Sequence, residues 1–449
     1  MIKKRPATAR EVAAFSLFSM AEENAWSDGA LHYYLDRAAL SPRDRALATR
    51  LTYGVIQNQL LCDWYLRQFS RVRLAKIAPR VLICLRLGLF QLILSDRIPA
   101  HAAVTETVDL IRHYGHANDR TVGFANGVLR AAAQAAADNT LPRLNCPDKE
   151  SYYSLQYSHP EWLVRLLCAQ YGQKETAALL KANNETAPVS IRVNRLRLSR
   201  DAAAARFEAD GFSVHPHPTA QAVLLADRGD IASHPLFTEG AVTIQDAASA
   251  VCVEVLDPQP DTFVLDCCAA PGGKSFYLAE RMQNRGQLIS CDVYPHKLEK
   301  ITQGAERLGL SIITPMQQDA SQCQDEWRGK ADAVLCDVPC SGMGIIRKKP
   351  EIRFKPEADI EALPAIQQEI LENCAQYVRP GGTLVYSTCT ILARENEAIV
   401  RAFLAAHPEF EAVSLHHPVF GEAPDGMITL LPSVHKTDGF FIAKLRRTP

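Results

Sequence analysis

The sequence predicts a multidomain protein with an all-α N-terminal domain, a small α+β middle module and a C-terminal α/β domain built on a parallel sheet. Three observations support this prediction. Apolar residues keep a helical spacing from residue 8 to about 136, strand and helix patterns mix between about 150 and 240, and strands then alternate regularly with helices. A chain of 449 residues is long enough for two or three domains. We place them at residues 1–140, 141–240 and 241–449.

Composition argues against several classes of protein. The formal net charge of -1 gives no global signal for nucleic acid, so any RNA contact must be a local patch. The 13 cysteines are odd in number and include no Cys-x-x-Cys pair, which favours a reducing, cytoplasmic setting over a zinc site or a disulfide scaffold. We find neither a signal peptide nor an apolar run long enough to span a bilayer.

The first domain is predicted to be helical throughout. Ser41-Pro42-Arg43-Asp44 is typical of a helix start, and Ile98-Pro99-Ala100 predicts a break between two helices. The polar stretch from Asp138 to Asp148 predicts a linker. Apolar positions at three- and four-residue spacing include Val12, Phe15, Phe18, Leu47, Leu51, Val55, Val81, Leu85 and Leu89.

The middle module mixes helices and strands. We expect helices at Glu161–Leu167 and Arg200–Ala209, and strands at Val189–Asn194 and Ala222–Leu225. This order resembles a small βαβ unit, which has parallel strands.

The last domain alternates strands and helices, which predicts a parallel sheet covered on both faces. Predicted strands are Thr262–Asp266, Gln287–Asp292, Ile312–Gln317, Ala331–Cys336 and Thr383–Ser387. Predicted helices are Lys274–Met282, His296–Leu308 and Ala362–Val378. Met427–Leu431 and Gly439–Leu445 predict a closing antiparallel pair.

A tight loop of small residues runs from Asp266 to Lys274, between the first of these strands and its helix. Small residues let the backbone approach a ligand, and a helix N-terminus supplies oriented amide donors. The loop lacks both the Gly-x-Gly-x-x-Gly of a dinucleotide site and the spacing of a phosphate loop. We favour a ligand-binding loop over an ordinary strand-to-helix turn.

Acidic residues follow three further strands, at Asp292, Asp319 and Asp337. A single aspartate at such a position is most often a helix cap. Three of them on consecutive strand ends favour a rim that accepts hydrogen bonds from a ligand, as ribose hydroxyls require.

Two cysteines stand just beyond predicted strands, in Asp337-Val338-Pro339-Cys340 and in Tyr386-Ser387-Thr388-Cys389-Thr390. Open α/β sheets bind ligands at the carboxyl ends of their strands, so thiols there can meet a substrate. The alternative is that each cysteine is a small buried hydrophobe.

These motifs carry a family resemblance. Asp266–Lys274, Asp337–Gly342, and Tyr386–Thr390 with Glu395-Asn396-Glu397 resemble three motifs of the RNA cytosine-5 methyltransferases, whose catalytic domain is Rossmann-like. Leu85–Gly88, Ile98-Pro99, Glu106 and Phe124–Arg130 resemble the helical NusB-type RNA-binding fold. The combination resembles the Sun/Fmu/RsmB family of bacterial 16S rRNA cytosine-5 methyltransferases and covers nearly the whole chain.

The resemblance implies S-adenosylmethionine as cofactor, and no metal. It assigns to the cofactor Cys268, Ala269, Ala270, Pro271, Gly272, Gly273, Lys274, Asp292, Asp319 and Asp337. It also implies methyl transfer to C5 of a cytosine in 16S rRNA, with the substrate either naked or within an assembling small subunit, and a monomeric enzyme.

The chemistry explains why two thiols are needed. Cytosine C5 becomes nucleophilic only after a thiolate adds to C6, and a second group must then assist the loss of the C5 proton and the release of the enzyme. By resemblance Cys389 is the nucleophile, Cys340 assists release, and Asp337 contacts the N3 side of the ring. In DNA cytosine-5 methyltransferases the Pro-Cys cysteine attacks instead, which would make Cys340 the nucleophile.

Other functions stay open at this point. The same chemistry on tRNA is one alternative, and a noncatalytic RNA-binding assembly factor is another, although binding alone needs no thiol pair. A dehydrogenase is disfavoured because the glycine fingerprint is missing.

A basic stretch from Arg347 to Lys355 follows the Pro-Cys motif and predicts a clamp for the RNA backbone, which Arg192, Asn194 and Arg195 would extend.

Overall fold

The structure is a computed structural model that describes residues 2, 4–95, 98–226, 230–417 and 420–449. Contacts divide the chain into two compact units. The first comprises Met1–Asn184 and Lys349–Phe354, and the second comprises Glu185–Lys348 and Lys355–Pro449. Within the described ranges, no helix is both long and apolar enough to cross a membrane.

The first unit is helical, as the sequence predicted. Ser41 caps one helix, because its hydroxyl accepts a hydrogen bond from the backbone nitrogen of Asp44 at 3.2 Å. Residues 138–148 form no regular element and lie within the first unit. The helices are α1 Ala9–Glu23, α2 Ser27–Arg37, α3 Pro42–Gln57, α4 Gln59–Phe69, α5 Pro79–Ile93, α6 Ala100–Tyr114, α7 Asp119–Ala137, α8 Lys149–Tyr157 and α9 Glu161–Ala182.

Part of the basic stretch lies inside this helical unit. Pro350–Phe354 forms a short 3₁₀ helix, and the fully buried guanidinium of Arg353 donates to the carbonyl oxygens of Tyr157 and Ser158, both at 3.2 Å. The carboxylate of Glu351 accepts from the backbone nitrogen and hydroxyl of Ser27, both at 2.9 Å. Arg353 therefore holds the helical unit together, and its assignment to an RNA clamp was wrong.

The middle module has an antiparallel sheet. Its elements are β1 Val189–Val193, α10 Arg200–Ala209, β2 Val214–Pro216, β3 Val223–Ala226, α11 Pro235–Thr238 and β4 Val242–Ile244. The strand order is β2-β3-β1-β4, with antiparallel pairing throughout. The α+β class is confirmed, but the parallel βαβ arrangement was wrong, because β3 returns beside β1 in the opposite direction.

The larger part of the second unit is a doubly covered α/β sheet, as predicted. The strand order is β10-β14-β9-β8-β5-β6-β7, and β13 also pairs with β14. Strands β5 to β9 pair in parallel, whereas β14 is antiparallel to β9 and to β13. The elements are α12 Ala247–Leu256, β5 Thr262–Asp266, α13 Gly273–Arg281, β6 Gly286–Asp292, α14 Pro295–Leu308, β7 Ile313–Gln317, β8 Ala331–Asp337, α15 Ala358–Glu361, α16 Leu363–Ala375, β9 Val378–Thr388, α17 Glu397–Ala406, β10 Phe410–Ala412, β11 Leu415–His417, β12 Gly421–Ala423, β13 Met427–Leu430, α18 Pro432–His435 and β14 Phe440–Arg447.

Apolar side chains cover the sheet on both faces. Residues of α12, α13 and α14 pack on one face and residues of α16 and α17 on the other. Strands buried on both faces need continuous apolar runs, which is why their positions could be predicted. The carboxyl ends of the parallel strands meet at one edge, and the motif residues lie there.

Candidate active site

The loop after β5 bends around a glycine. Gly272 has φ of 107°, and a Cβ atom there would lie 2.5 Å from the ring of Phe276. The backbone nitrogen of Ala269 donates to the carbonyl oxygen of Cys291 at 2.7 Å, which fixes the loop beside the end of β6. Helix α13 begins at Gly273, so its first amide groups face this bend. The loop therefore has the form of a ligand cradle that requires glycine at position 272.

A buried carboxyl group lies under the cradle. Asp266 is fully buried, and the hydroxyl of Ser275 donates to its Oδ2 at 2.7 Å. Its Oδ1 has no hydrogen-bond partner among the described residues. Burial raises the pKa of Asp266 to about 7, and the nearby Asp337 adds to this while Ser275 opposes it. A shifted pKa was not predicted for Asp266, although an acid at the end of an apolar strand is a sequence signal for one.

The strand-end acids form a rim along β6 and β7. Asp292 is largely buried, and its Oδ1 accepts from the backbone nitrogen of Tyr294 at 3.0 Å. Asp319 is exposed and accepts from the backbone nitrogen and hydroxyl of Ser321, at 3.0 and 2.8 Å. Each carboxylate thus stabilises a local turn, and each stands at the edge where a ligand would need acceptors. Their roles toward a cofactor stay predictions.

Lys274 and Asp337 form a pair between the cradle and β8. The Nζ atom of Lys274 lies 2.6 Å from Oδ2 of Asp337, and the hydroxyl of Ser387 donates to Oδ1 at 2.8 Å. Burial alone would lower the pKa of Lys274, but the Asp337 carboxylate raises it above the usual value. Both oxygens of Asp337 accept from donors, which is the pattern of an ionised carboxylate.

The two motif cysteines face each other. The sulfur atoms of Cys340 and Cys389 lie 3.2 Å apart, and both residues are partly exposed. A hydrogen bond from Cys340 and the positive charge of Lys274 lower the pKa of Cys389, while burial and the charges of Asp337 and Asp438 oppose this shift. The hydrogen bond, burial and nearby negative charge raise the pKa of Cys340. The pair is therefore arranged to supply one thiolate and one protonated thiol.

Polar contacts fix the loop that carries Cys389. The side-chain nitrogen of Asn396 donates to the carbonyl oxygen of Thr390 at 3.1 Å, and the hydroxyl of Thr388 donates to Asn396 Oδ1 at 2.6 Å. The backbone nitrogen of Gly344 donates to the carbonyl oxygen of Cys389 at 3.0 Å. Asn396 was quoted only as part of a motif, and its contacts now give it a structural role.

The start of the basic stretch is paired within the second unit. The Nζ atom of Lys348 lies 2.6 Å from Asp246 Oδ2 and 2.7 Å from Asp438 Oδ2. Arg347 has a side chain only 7% exposed and lies 3.6 Å from Asp438, while Lys355 donates to the carbonyl oxygen of Ser341 at 2.7 Å. These cations have protein partners, which neutralise part of the charge predicted for a clamp, and their contact with RNA stays a prediction.

The suggested extension of that surface was wrong for Arg192 and Asn194 and stays a prediction for Arg195. Arg192 is fully buried and donates to Gln245 and Glu280. Asn194 is buried as well, and its side-chain nitrogen donates to the carbonyl oxygen of Gly240 at 3.1 Å. Arg195 is exposed. A charge pattern along the sequence does not reveal that Arg192 and Asn194 become buried against segments that are distant in sequence.

Comparison with known proteins identifies the family. Models of three families match the chain: the NusB family over residues 7–134, the RsmF/B-like ferredoxin-like domain over 159–232, and 16S rRNA methyltransferase RsmB/F over 253–446. A probable ribosomal RNA small subunit methyltransferase B of Bacillus subtilis is 35% identical over 446 residues, with 98% of each chain covered. The chain belongs to the RsmB/F family of 16S rRNA methyltransferases.

Further relatives agree with this assignment. The ribosomal RNA small subunit methyltransferase B of Escherichia coli O6:H1 is 33% identical over 410 residues, which cover 90% of this chain and 91% of that protein. The crystal structure of PH0851 superimposes with a TM-score of 0.80 and 27% identity over 99% of this chain and 100% of its own. The predicted resemblance and the three-part fold are thus confirmed, and the protein is an RNA methyltransferase.

Proposed function

We propose that the protein transfers a methyl group from S-adenosylmethionine to C5 of a cytosine in 16S rRNA through a covalent bond between Cys389 and C6. The observation that carries this proposal is the thiol pair, with sulfur atoms 3.2 Å apart at the edge of the sheet. A methyltransferase that acts on oxygen or on an exocyclic nitrogen needs no covalent thiol step. The names of the bacterial relatives support small-subunit rRNA as the substrate.

The cradle fits the proposed cofactor. The left-handed backbone of Gly272 allows the tight bend from the end of β5 into α13, and Asp292 and Asp319 offer acceptors on the adjoining strand ends. The unpartnered Oδ1 of buried Asp266 is a polar atom that a bound polar group can satisfy. We assign the cofactor to Cys268, Ala269, Ala270, Pro271, Gly272, Gly273, Lys274, Asp292, Asp319 and Asp337. When bound, S-adenosylmethionine supplies an electrophilic methyl group.

The protein's own residues then act in order. The thiolate of Cys389 forms a bond to C6, which places electron density on C5, and C5 takes the methyl group. Solvent water takes the C5 proton, the electrons of that bond form the C5–C6 double bond, and the C6–sulfur bond breaks to return the thiolate of Cys389. The protonated thiol of Cys340 assists this release by donating a hydrogen bond to the departing sulfur, which lies 3.2 Å away in the free protein. As the thiolate adds to C6, N3 takes a proton from solvent water, and the carboxylate of Asp337 accepts a hydrogen bond from that N3–H; the proton returns to solvent when the enzyme is released.

The surroundings of the two thiols favour Cys389 as the nucleophile. The positive charge of Lys274 lowers the pKa of Cys389, after the larger effect of the hydrogen bond from Cys340. Neighbouring negative charge raises the pKa of Cys340. A nucleophilic thiol must be ionised near neutral pH, so this arrangement supports attack by Cys389 rather than Cys340.

Transfer of labelled methyl groups tests the proposal. The purified protein is incubated with methyl-labelled S-adenosylmethionine and unmodified 16S rRNA, small-subunit particles or tRNA, and the modified nucleoside is identified. We expect label on C5 of cytosine in 16S rRNA, lost in Cys389→Ala but retained in the control Cys323→Ala, whose thiol lies outside the site. Label in tRNA alone would overturn the substrate, and label on another atom would overturn the reaction.

A further inference from the structure

A buried carboxylate braces the loop that carries Cys340. Glu395 is fully buried, and its Oε2 accepts from the backbone nitrogen of Ser341 at 2.8 Å and from Gln367 Nε2 at 2.9 Å. Its Oε1 accepts a longer hydrogen bond from the hydroxyl of Thr390 at 3.5 Å. These contacts are all donated to the carboxylate, which is the pattern of an ionised group. A fixed negative charge therefore lies next to the thiol pair.

The shorter contacts of this carboxylate are with residues that hold the Cys340 loop, whereas its contact beside Cys389, with Thr390, is long. Gln367 donates to Pro339 as well as to Glu395, so the carboxylate is tied to the residues on both sides of Cys340. The hydroxyl of Tyr386, which also lies nearby, donates to the carbonyl oxygen of Glu395 at 2.7 Å.

The side of Cys389 carries a different set of charges. The Lys274 ammonium lowers the pKa of Cys389, while Asp337 and Asp438 oppose it. The Lys274 ammonium also lies 2.6 Å from Asp337, so that carboxylate is largely neutralised by its partner. Asp438 is likewise paired, with the ammonium of Lys348 at 2.7 Å.

Two equivalent thiols that share one hydrogen bond have no intrinsic preference for which of them keeps the proton. The proposed reaction needs a preference, because the thiolate attacks and the other thiol keeps its proton. We propose that Glu395 is a positioning residue that makes Cys340 the protonated partner, so that Cys389 carries the anionic sulfur. This inference rests on the proposed function, because the proposed reaction is what requires the preference. The preference between the two thiols exists in the protein without RNA and can be measured there.

The thiol pKa shifts agree with this role. The pKa of Cys340 is raised, first by its hydrogen bond with Cys389, then by burial, and then by the negative charges of Cys389 and Glu395, against a smaller opposing effect of the Gly342 backbone. Glu395 is not among the groups that have the largest effects on the pKa of Cys389. The shorter contacts of Glu395 on the side of Cys340 agree with a larger effect on that sulfur.

One substitution removes the charge and keeps the contacts. In Glu395→Gln the amide oxygen takes the place of Oε2 and accepts from Ser341 and Gln367, while the amide nitrogen faces the hydroxyl of Thr390, which can accept. Glu395→Asp keeps the charge with a shorter side chain. Glu254→Gln is a matched control, since it replaces a partly buried carboxylate that accepts from Tyr277.

The experiment measures alkylation of the two thiols in the RNA-free protein. Iodoacetamide is applied across a range of pH, and the modification at Cys340 and at Cys389 is quantified by peptide mass spectrometry. In the wild type we expect Cys389 to react first. In Glu395→Gln the ratio of Cys340 to Cys389 modification should rise about tenfold, which corresponds to roughly one pH unit in the pKa of one thiol.

Single-thiol backgrounds separate charge from packing. With Cys389→Ala, Glu395→Gln should lower the pKa of Cys340 by about one unit, whereas with Cys340→Ala it should change the pKa of Cys389 much less. Glu395→Asp and Glu254→Gln should retain the wild-type ratio. A merely structural role for Glu395 would not lower the pKa of one thiol selectively.

Two results would overturn the inference: an unchanged ratio in folded Glu395→Gln, or faster alkylation of Cys340 in the wild type. The second needs no variant and decides the question even if Glu395→Gln does not fold. Methylation is not part of this readout. Failure of the proposed reaction with an intact alkylation preference is therefore distinguishable from failure of the role of Glu395.

Discussion

Replacement of Asp266 by asparagine should stabilise the protein increasingly as the pH rises. Asp266 is fully buried, and burial raises its pKa from 3.8 to about 7. In the unfolded chain the carboxyl group ionises near its ordinary value, whereas in the folded protein it keeps its proton up to about pH 7. The stability that this group contributes is therefore fully present below its unfolded pKa and is lost as the pH rises through the folded pKa.

The size of this effect follows from the shift. A shift of about three pKa units, at about 1.4 kcal/mol each, lowers the free energy of unfolding by about 4 kcal/mol well above pH 7. About 3 kcal/mol of this loss develops between about pH 5 and about pH 8. The asparagine side chain in Asp266→Asn carries no ionisable group, and its amide oxygen can still accept from Ser275.

Thermal melts at the two pH values measure this difference. The midpoint of Asp266→Asn relative to wild type should rise by roughly 3 to 6 °C between about pH 5 and about pH 8. The exposed control Asp325→Asn, whose side chain is 89% exposed, should show no such change. If the melting midpoints of Asp266→Asn and wild type differ by the same amount at both pH values, the pKa of Asp266 is not raised in the folded protein.

Three further substitutions test other parts of the account. Gly272→Ala should weaken S-adenosylmethionine binding at least tenfold by calorimetry, since its Cβ would lie 2.5 Å from Phe276; unchanged affinity would contradict the cradle. Arg353→Met should cost about 3 kcal/mol in urea unfolding, because buried carbonyl groups lose their donor, and a neutral result would count against its structural role. Lys274→Met should raise the pKa of the Cys389 thiol by about one unit, measured from the pH dependence of its alkylation. An unchanged pH dependence would exclude the electrostatic effect of Lys274.

Much of the catalytic sheet could be predicted from the sequence. Strand Thr262–Asp266 was placed without error. The closing antiparallel pair, predicted at Met427–Leu431 and Gly439–Leu445, lies at Met427–Leu430 and Phe440–Arg447. These strands are continuous apolar runs bounded by turn residues, which is the strongest strand signal in a sequence. The approach of Cys340 to Cys389 follows from the same sheet, since both residues come directly after adjacent parallel strands.

Other features depend on partners that are distant in sequence. The direction of β3 relative to β1 is set by pairing, and strands of three to five residues carry no signal of direction. The cation of Lys348 is paired with Asp246, about a hundred residues earlier in the chain. The role of Glu395 was likewise not visible, because its contacts with Ser341 and Gln367 exist only in the folded protein.

Covalent trapping on RNA shows which of the two thiols attacks the base. Cys340→Ala and Cys389→Ala are each incubated with 16S rRNA and S-adenosylmethionine, and the products are separated on a denaturing gel. If Cys389 attacks C6 and Cys340 assists release, Cys340→Ala accumulates a protein–RNA adduct and Cys389→Ala forms none. An adduct with Cys389→Ala and none with Cys340→Ala would reverse the two roles, and active Cys389→Ala would contradict the covalent mechanism.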